Sequence, residues 1–147
     1  MAGLLATRTY TPTDWDAESG TTHLLCYAHG DGPGSAWARN IGPGDECHIL
    51  GPRGSIDLRT TSGPIAFFGD ETSLALASAL VADRPARRLS AFYEFHDREG
   101  GAAMLQSLNL IGATAVARRP DEAHVEEMQA SLPAPAAGGA HFVLTGK

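Results

Sequence analysis

HGDGPGSAWARNIGPGDECHILGPRGS, residues 29–55, is the run from which the rest of the chain can be read. Gly32, Pro33 and Gly34 form a turn whose backbone can approach a ligand closely, and Ser35 stands where an N-cap would open a short helix over residues 36–40. A helix start offers unpaired N–H groups and the positive end of the helix dipole, so it favours an anion, most often phosphate. Taken alone, the pattern reads more readily as a turn, a cap and one helical turn with no ligand, since it is neither GxGxxG nor a Walker A loop.

Working outward towards the N-terminus, residues 21–29 (TTHLLCYAH) alternate in a way that predicts a strand with apolar side chains on both faces, hence well buried. His29 ends that strand beside the glycine turn, where it would either donate to a bound phosphate or serve as a structural histidine. Residues 12–20 (PTDWDAESG) read as a polar loop in which Trp15 is a packing anchor or, less favoured, a ligand contact. Residues 7–11 (TRTYT) are rich in β-formers, and in an extended strand Arg8 and Tyr10 project to the same face. Towards the C-terminus, Gly42-Pro43-Gly44-Asp45 is a tight reversal. Residues 46–50 form another strand-like segment, and Gly51-Pro52-Arg53-Gly54 breaks it.

The pattern changes at residues 60–63, a small polar linker. Residues 64–68 (PIAFF) are a continuous apolar run of the kind buried on both faces of a parallel sheet. Gly69-Asp70-Glu71-Thr72 follows and leads into a helix over residues 73–81, whose start Asp70 and Glu71 complement electrostatically. Those two carboxylates also make the turn a poor pyrophosphate site. Strands over residues 88–95, 113–118 and 141–145 then alternate with helices over 100–108 and 121–131, with a Pro/Ala/Gly connector at 133–139. Such alternation predicts a parallel α/β sheet. A ligand would sit beyond the strands' carboxyl ends, where Gly69, residues 94–97 and Thr145-Gly146 converge.

Composition narrows the function classes. The net charge of −6 argues against nucleic acid as a partner, because phosphate contacts need clustered Lys and Arg. The densest basic groups, Arg84/Arg87/Arg88 and Arg118/Arg119, read as solvated rims, or alternatively as contacts to a nicotinamide cofactor's phosphates. Cys26 and Cys47 make neither a CxxC pair nor a zinc cluster and suit structural thiols in a reducing compartment. No apolar run approaches the ~20 residues needed to span a bilayer, and the first residues lack the features of a signal peptide, so a cytoplasmic protein without membrane insertion is expected. There is no GxSxG, HExxH or Walker A, and the adjacent His96 and Asp97 would point to opposite faces of a strand. Hydrolase chemistry finds no support. Flavin chemistry would need few titrating side chains, because the cofactor supplies it.

In order and spacing the chain resembles the siderophore-interacting proteins, a branch of the ferredoxin-reductase-like flavoproteins. The resemblance runs through Arg8-Thr9-Tyr10-Thr11, the segment from His29 to Ala38, Pro43-Gly44-Asp45, Gly51-Pro52-Arg53-Gly54 and Gly69-Asp70-Glu71-Thr72. It implies a two-part fold: a partial antiparallel FAD-binding β-barrel over residues 1–58, then a small parallel α/β domain of nicotinamide-binding type over residues 59–147. It also implies a reaction in which electrons pass from NADH or NADPH through FAD to a ferric siderophore. Metal ligands and protein catalytic residues are not implied. The FAD-binding residues by resemblance are Arg8, Tyr10, Thr11, His29, Gly32, Gly34, Ser35 and Trp37. Gly69, Asp70 and Thr72 would face the nicotinamide, with Gly69 letting a flat ring approach the backbone.

The resemblance covers the middle of the family's length, so about half a barrel is expected. Three origins fit that expectation: a fragment, a misplaced start, or a natural short form whose barrel closes in a homodimer. A non-catalytic flavin- or protein-binding remnant is the alternative function.

Overall fold

The computed structural model describes residues 7–146 apart from Pro52, Arg53, Ser55, Arg59 and Arg84. The interior of the Gly51–Gly54 break, the Arg84 member of the first basic group and the first six residues therefore lie outside the described residues.

The sheet occupies the second half. Strand β1 (Ile65–Asp70) is buried along its whole length, as a continuous apolar run requires. A 3-10 turn (Glu71–Ser73) leads into α2 (Leu74–Asp83), then come β2 (Leu89–Phe95), α3 (Arg98–Ser107), β3 (Thr114–Ala117), α4 (Ala123–Ala130), α5 (Pro133–Ala137) and β4 (His141–Leu144). All pairings are parallel and the strand order is β3-β2-β1-β4, with Ile65 opposite both Leu89 and His141 and Phe92 opposite Thr114.

Alternation along the strands divides the side chains between two faces. Ile65, Phe67, Ala91, Tyr93, Phe95 and Val143 pack with Leu74 and Ala77 of α2, Leu105 of α3 and Leu110 into the core. The opposite face carries a row of stacked rings: Phe68 lies 4.8 Å from Phe92 and 6.2 Å from Phe142, centroid to centroid. Asp70 and Glu94 continue this face at the strands' carboxyl ends, directly opposite each other.

Helix starts follow local chemistry. The Asp70 carboxylate caps the 3-10 turn by accepting the Thr72 N–H, and Asp97 caps α3 by accepting the Glu99 N–H. The helix expected over 121–131 opens later, at Ala123, because Glu122 takes a left-handed conformation with φ 59°. The connector at 133–139 contains the short helix α5, since Pro133 presets the helical φ at its first position.

Residues 7–63 are built differently. Helix α1 (Pro33–Asn40) is their helical element among the described residues, and Gly42-Pro43-Gly44-Asp45 makes the expected turn, closed by the Asp45 N–H on the Gly42 carbonyl at 3.1 Å. Among the described residues, the strands expected over 7–11, 21–29 and 46–50 do not form ladders. Pro12 pairs with Leu24 and Asp16 with Thr21, each as an isolated antiparallel bridge. Residues 21–29 are half-buried or exposed rather than well buried, and Ile49 and Leu50 are 74% and 75% exposed. A strand needs a neighbour for its N–H and C=O groups, and an isolated pair is marginal in water. These segments therefore stay extended without becoming sheet.

Candidate functional site

Two clusters hold the residues singled out from sequence, one at the start of α1 and one at the carboxyl edge of the sheet.

Helix α1 begins at Pro33, two residues before Ser35, so Ser35 is not its N-cap. Pro33 fixes the first helical φ and needs no N–H partner, which moves the start forward to Gly32. Ser35 is instead buried at 8% exposure and donates its hydroxyl to the His29 carbonyl at 2.6 Å. This bond ties the end of the 21–29 segment to the helix start. Gly32 caps without a side-chain hydrogen bond, so the cap residue itself leaves the first turn's N–H groups open.

Beside that turn lie Arg8 and Tyr10. A Cβ at Gly34 would come within 3.3 Å of Arg8 Cγ and Nε and 3.4 Å of the Tyr10 hydroxyl, so the glycine is what lets this surface close on the helix. Tyr10 packs against Trp37 with ring centroids 5.7 Å apart. Burial raises the Tyr10 pKa, with a further contribution from Cys26, and burial likewise raises that of the Cys26 thiol. Thr11 is half-buried just before the Pro12 bridge. One cation, two aromatic rings and the open first turn of a helix thus face one another, an arrangement suited to a planar aromatic ligand that carries phosphate.

The second cluster surrounds a cleft of about 270 Å³ lined by Tyr27, His29, Asp70, Glu71, Thr72, His96 and Arg118. His29 and Tyr27 stack at 5.1 Å and form its aromatic wall. Burial, and next the charge of Glu71, raises the Tyr27 pKa. On the other wall, Asp70 accepts from the Thr72 N–H at 2.9 Å and from its hydroxyl at 2.5 Å. Glu71 accepts the His96 N–H at 2.6 Å. Arg118 reaches Glu94 at 2.8 Å, Glu71 at 3.6 Å and Asp70 at 3.8 Å. The other Glu94 oxygen takes His124 Nε2 at 2.7 Å, while His124 Nδ1 accepts the Arg119 N–H at 3.1 Å. That backbone donor leaves the imidazole proton on Nε2, so the buried His124 donates to Glu94.

The structure therefore gathers Arg8, Tyr10, Gly32, Gly34, Ser35 and Trp37 at one site, and His29, Asp70 and Thr72 at the other. Gly69 has a packing role that the sequence reading did not assign. A Cβ there would lie 2.8 Å from Ser73 Cβ and 3.0 Å from a Phe67 ring atom, so the space beside this buried glycine is filled by the chain itself. Arg118 is exposed, as a rim residue would be, but it is not a bare cation: its guanidinium lies among three carboxylates. Tyr27, Glu71 and His124 join the cleft without a sequence expectation, whereas His96 falls in the 94–97 segment expected beside a ligand and Arg118 in a basic group offered as an alternative cofactor contact. The signal that finds the charged ones is positional: Asp70, Glu94 and Arg118 fall at or just beyond the carboxyl ends of β1, β2 and β3.

Together these features give an α/β sheet with a cleft beyond its strand ends, and a helix start that could take an anion. Residues 3–56 match the family model described as the siderophore-interacting FAD-binding domain. A solved structure of the siderophore-interacting protein from Acinetobacter baumannii shares the fold, with a TM-score of 0.59 and 17% identity over 93% of this chain. The chain spans 55% of that protein's length. No curated protein matches the chain. The likeness to siderophore-interacting proteins, over part of their length, thus rests on a family match in the first half and a shared fold across most of the chain. Among the described residues, no helix is long and apolar enough to cross a membrane.

Proposed function

We propose that the chain is an FAD-binding oxidoreductase of the siderophore-interacting type, taking electrons from NADH or NADPH and delivering them to a ferric siderophore. The observation that carries this reading is the convergence of Arg8, Tyr10, Gly34, Ser35 and Trp37 at the α1 turn, inside the segment matched by the FAD-binding family model. Arg8 would set its charge against the cofactor's phosphates, and the first-turn N–H groups of α1 would share them. Tyr10 and Trp37 would offer apolar walls to the rings. Bound flavin supplies the conversion of two-electron into one-electron transfer. The acidic cleft faces the nicotinamide side, and ferrous iron, once formed, is held far more weakly by siderophore oxygens than ferric iron.

The partial barrel over residues 1–58 and the nicotinamide-binding role of residues 59–147 belong to the same proposal, as does a cytoplasmic location, which the free thiols of Cys26 and Cys47 suit. A second reading, a flavin- or protein-binding remnant without turnover, is favoured by one observation. The described residues 7–58 make isolated bridges and leave Ile49 and Leu50 exposed, so few barrel walls would cover a cofactor.

Flavin titration tests the first reading. FAD should bind, Arg8→Ala should weaken it by about 1.5–3 kcal/mol, more than tenfold, and Gly34→Ala should weaken it less by pushing Arg8 aside. Equal affinity in all three proteins removes the assignment. Bound flavin that NADH and NADPH both fail to bleach selects the remnant.

A further inference from the structure

Arg118, the one arginine or lysine lining the cleft among the described residues, points to a particular ligand chemistry. Each ion pair that Arg118 makes runs through Nη2, towards Glu94, Glu71 and Asp70. Its Nε and Nη1 donors have no partner among the described residues. Glu71 and Glu94 alone already outweigh the guanidinium's single positive charge, whatever else contacts Asp70. A guanidinium whose charge is already met still has N–H groups to give, but it gains little from a further anion, which the neighbouring carboxylates repel.

Glu94 holds the guanidinium in place. It sits on β2 directly opposite Asp70 of β1 and takes Arg118 with one oxygen and His124 with the other. His124 is 4% exposed and is fixed in turn by the Arg119 N–H. Both Glu94 oxygens are therefore committed. The chain His124–Glu94–Arg118 fixes the side chain in the cleft, opposite the stacked Tyr27 and His29 rings.

We infer that Arg118 is the ligand-binding donor of this cleft and that it recognises an uncharged carbonyl, the carboxamide of a nicotinamide ring, in preference to a carboxylate or phosphate, with Glu94 and His124 as its positioning residues. The inference rests on the proposed nicotinamide role of the cleft and adds the recognising group to it. An arginine in an uncompensated site would show the opposite preference, binding the carboxylate more tightly.

The test uses NAD⁺ and its nicotinic acid analogue, in which a ring carboxylate replaces the carboxamide, titrated calorimetrically into the purified chain, with FAD titrated in parallel. NAD⁺ should bind about tenfold more tightly than the carboxylate analogue, and Arg118→Gln should weaken NAD⁺ about tenfold with the fold intact by circular dichroism. Glu94→Gln should bring the two ligands towards parity, because it removes a compensating charge as well as the brace, whereas a purely structural loss would weaken both alike. Tighter binding of the carboxylate analogue, or an Arg118→Gln variant equal to wild type, overturns the inference. If neither dinucleotide binds while FAD still does, both this inference and the nicotinamide part of the proposed function fall and the flavin part stands. If NAD⁺ shows the preference but FAD does not bind, the inference stands and the flavin part falls.

Discussion

In β1 every residue is buried and the strand is paired on both sides, whereas the extended segments of residues 7–58 meet, among the described residues, at two isolated bridges and leave Ile49 and Leu50 largely in solvent. Both regions are rich in strand-forming residues. What separates them is whether a neighbouring backbone is present to complete the ladder and whether a helix covers the face. Burial, not local propensity, makes sheet here. The largest expected effect probes this contrast. Phe67→Ala removes a ring that is 0% exposed in the core and should cost about 3–5 kcal/mol in urea unfolding. Leu50→Ala, at 75% exposure, should stay within about 0.5 kcal/mol. Gly69→Val should side with Phe67, at roughly 1–3 kcal/mol, because its Cβ would run into Ser73. Similar losses for Phe67→Ala and Leu50→Ala would break the distinction between the two halves.

The order of strands and helices after residue 64 is legible in the sequence because each element announces itself locally. Examples are the apolar run of β1 and the acidic Asp70 and Glu71 that lead into the helix after it. The α1 turn is legible too, since glycine, proline and serine mark it whatever surrounds them, while the approach of Arg8 and Tyr10 to it follows from the family resemblance alone. The exact cap is not, because Pro33 and Ser35 compete for the helix start and proline's fixed φ prevails. The cleft is legible only in part. Asp70 and Glu94 can be placed at strand ends, but that Arg118 joins them depends on β3 lying beside β2, a long-range fact that residues 114–118 do not carry. The packing role of Gly69 is hidden for the same reason, as it is set by where Ser73 and Phe67 point.

Tyr93 sharpens the contrast from inside the core. It is 0% exposed, packed between the rings of Phe67 and Phe95, and its hydroxyl has no hydrogen-bond partner among the described residues. Burial pushes its pKa well above the ordinary 10.0. A folded pKa above the unfolded one means that the associated stability is fully present below pH 10 and is lost as pH rises beyond it, because the unfolded chain ionises first. Tyr93→Phe should leave stability at pH 7 unchanged or raise it by up to about 1 kcal/mol, and should move alkaline unfolding to higher pH. A clear loss of stability would show that the hydroxyl is paired in solution.

The smallest effect belongs to the other half and is confined to its loop. Asp14 accepts the His23 N–H at 2.9 Å and meets the His23 imidazole at 2.8 Å, with both side chains largely in solvent. First the backbone bond and then the ring hold its carboxyl below 3.8, and the Ser19 hydroxyl and nearby N–H groups do the same for Asp16. The sign is opposite to that of Tyr93. A depressed folded pKa contributes stability that is present above the unfolded value and lost as pH falls through the folded one. Acidification below about pH 3.8 should therefore loosen the turn that joins Thr13 to His23 and Asp16 to Thr21. Asp14→Asn should loosen it already at neutral pH. Because the pair is exposed, the change should stay local: amide exchange at Thr13 and Asp16 should quicken while that of β1 does not. A carboxyl NMR titration with Asp14 at or above 3.8, or acid-induced exchange spreading into β1 in step with the loop, would show that the two halves do not open independently.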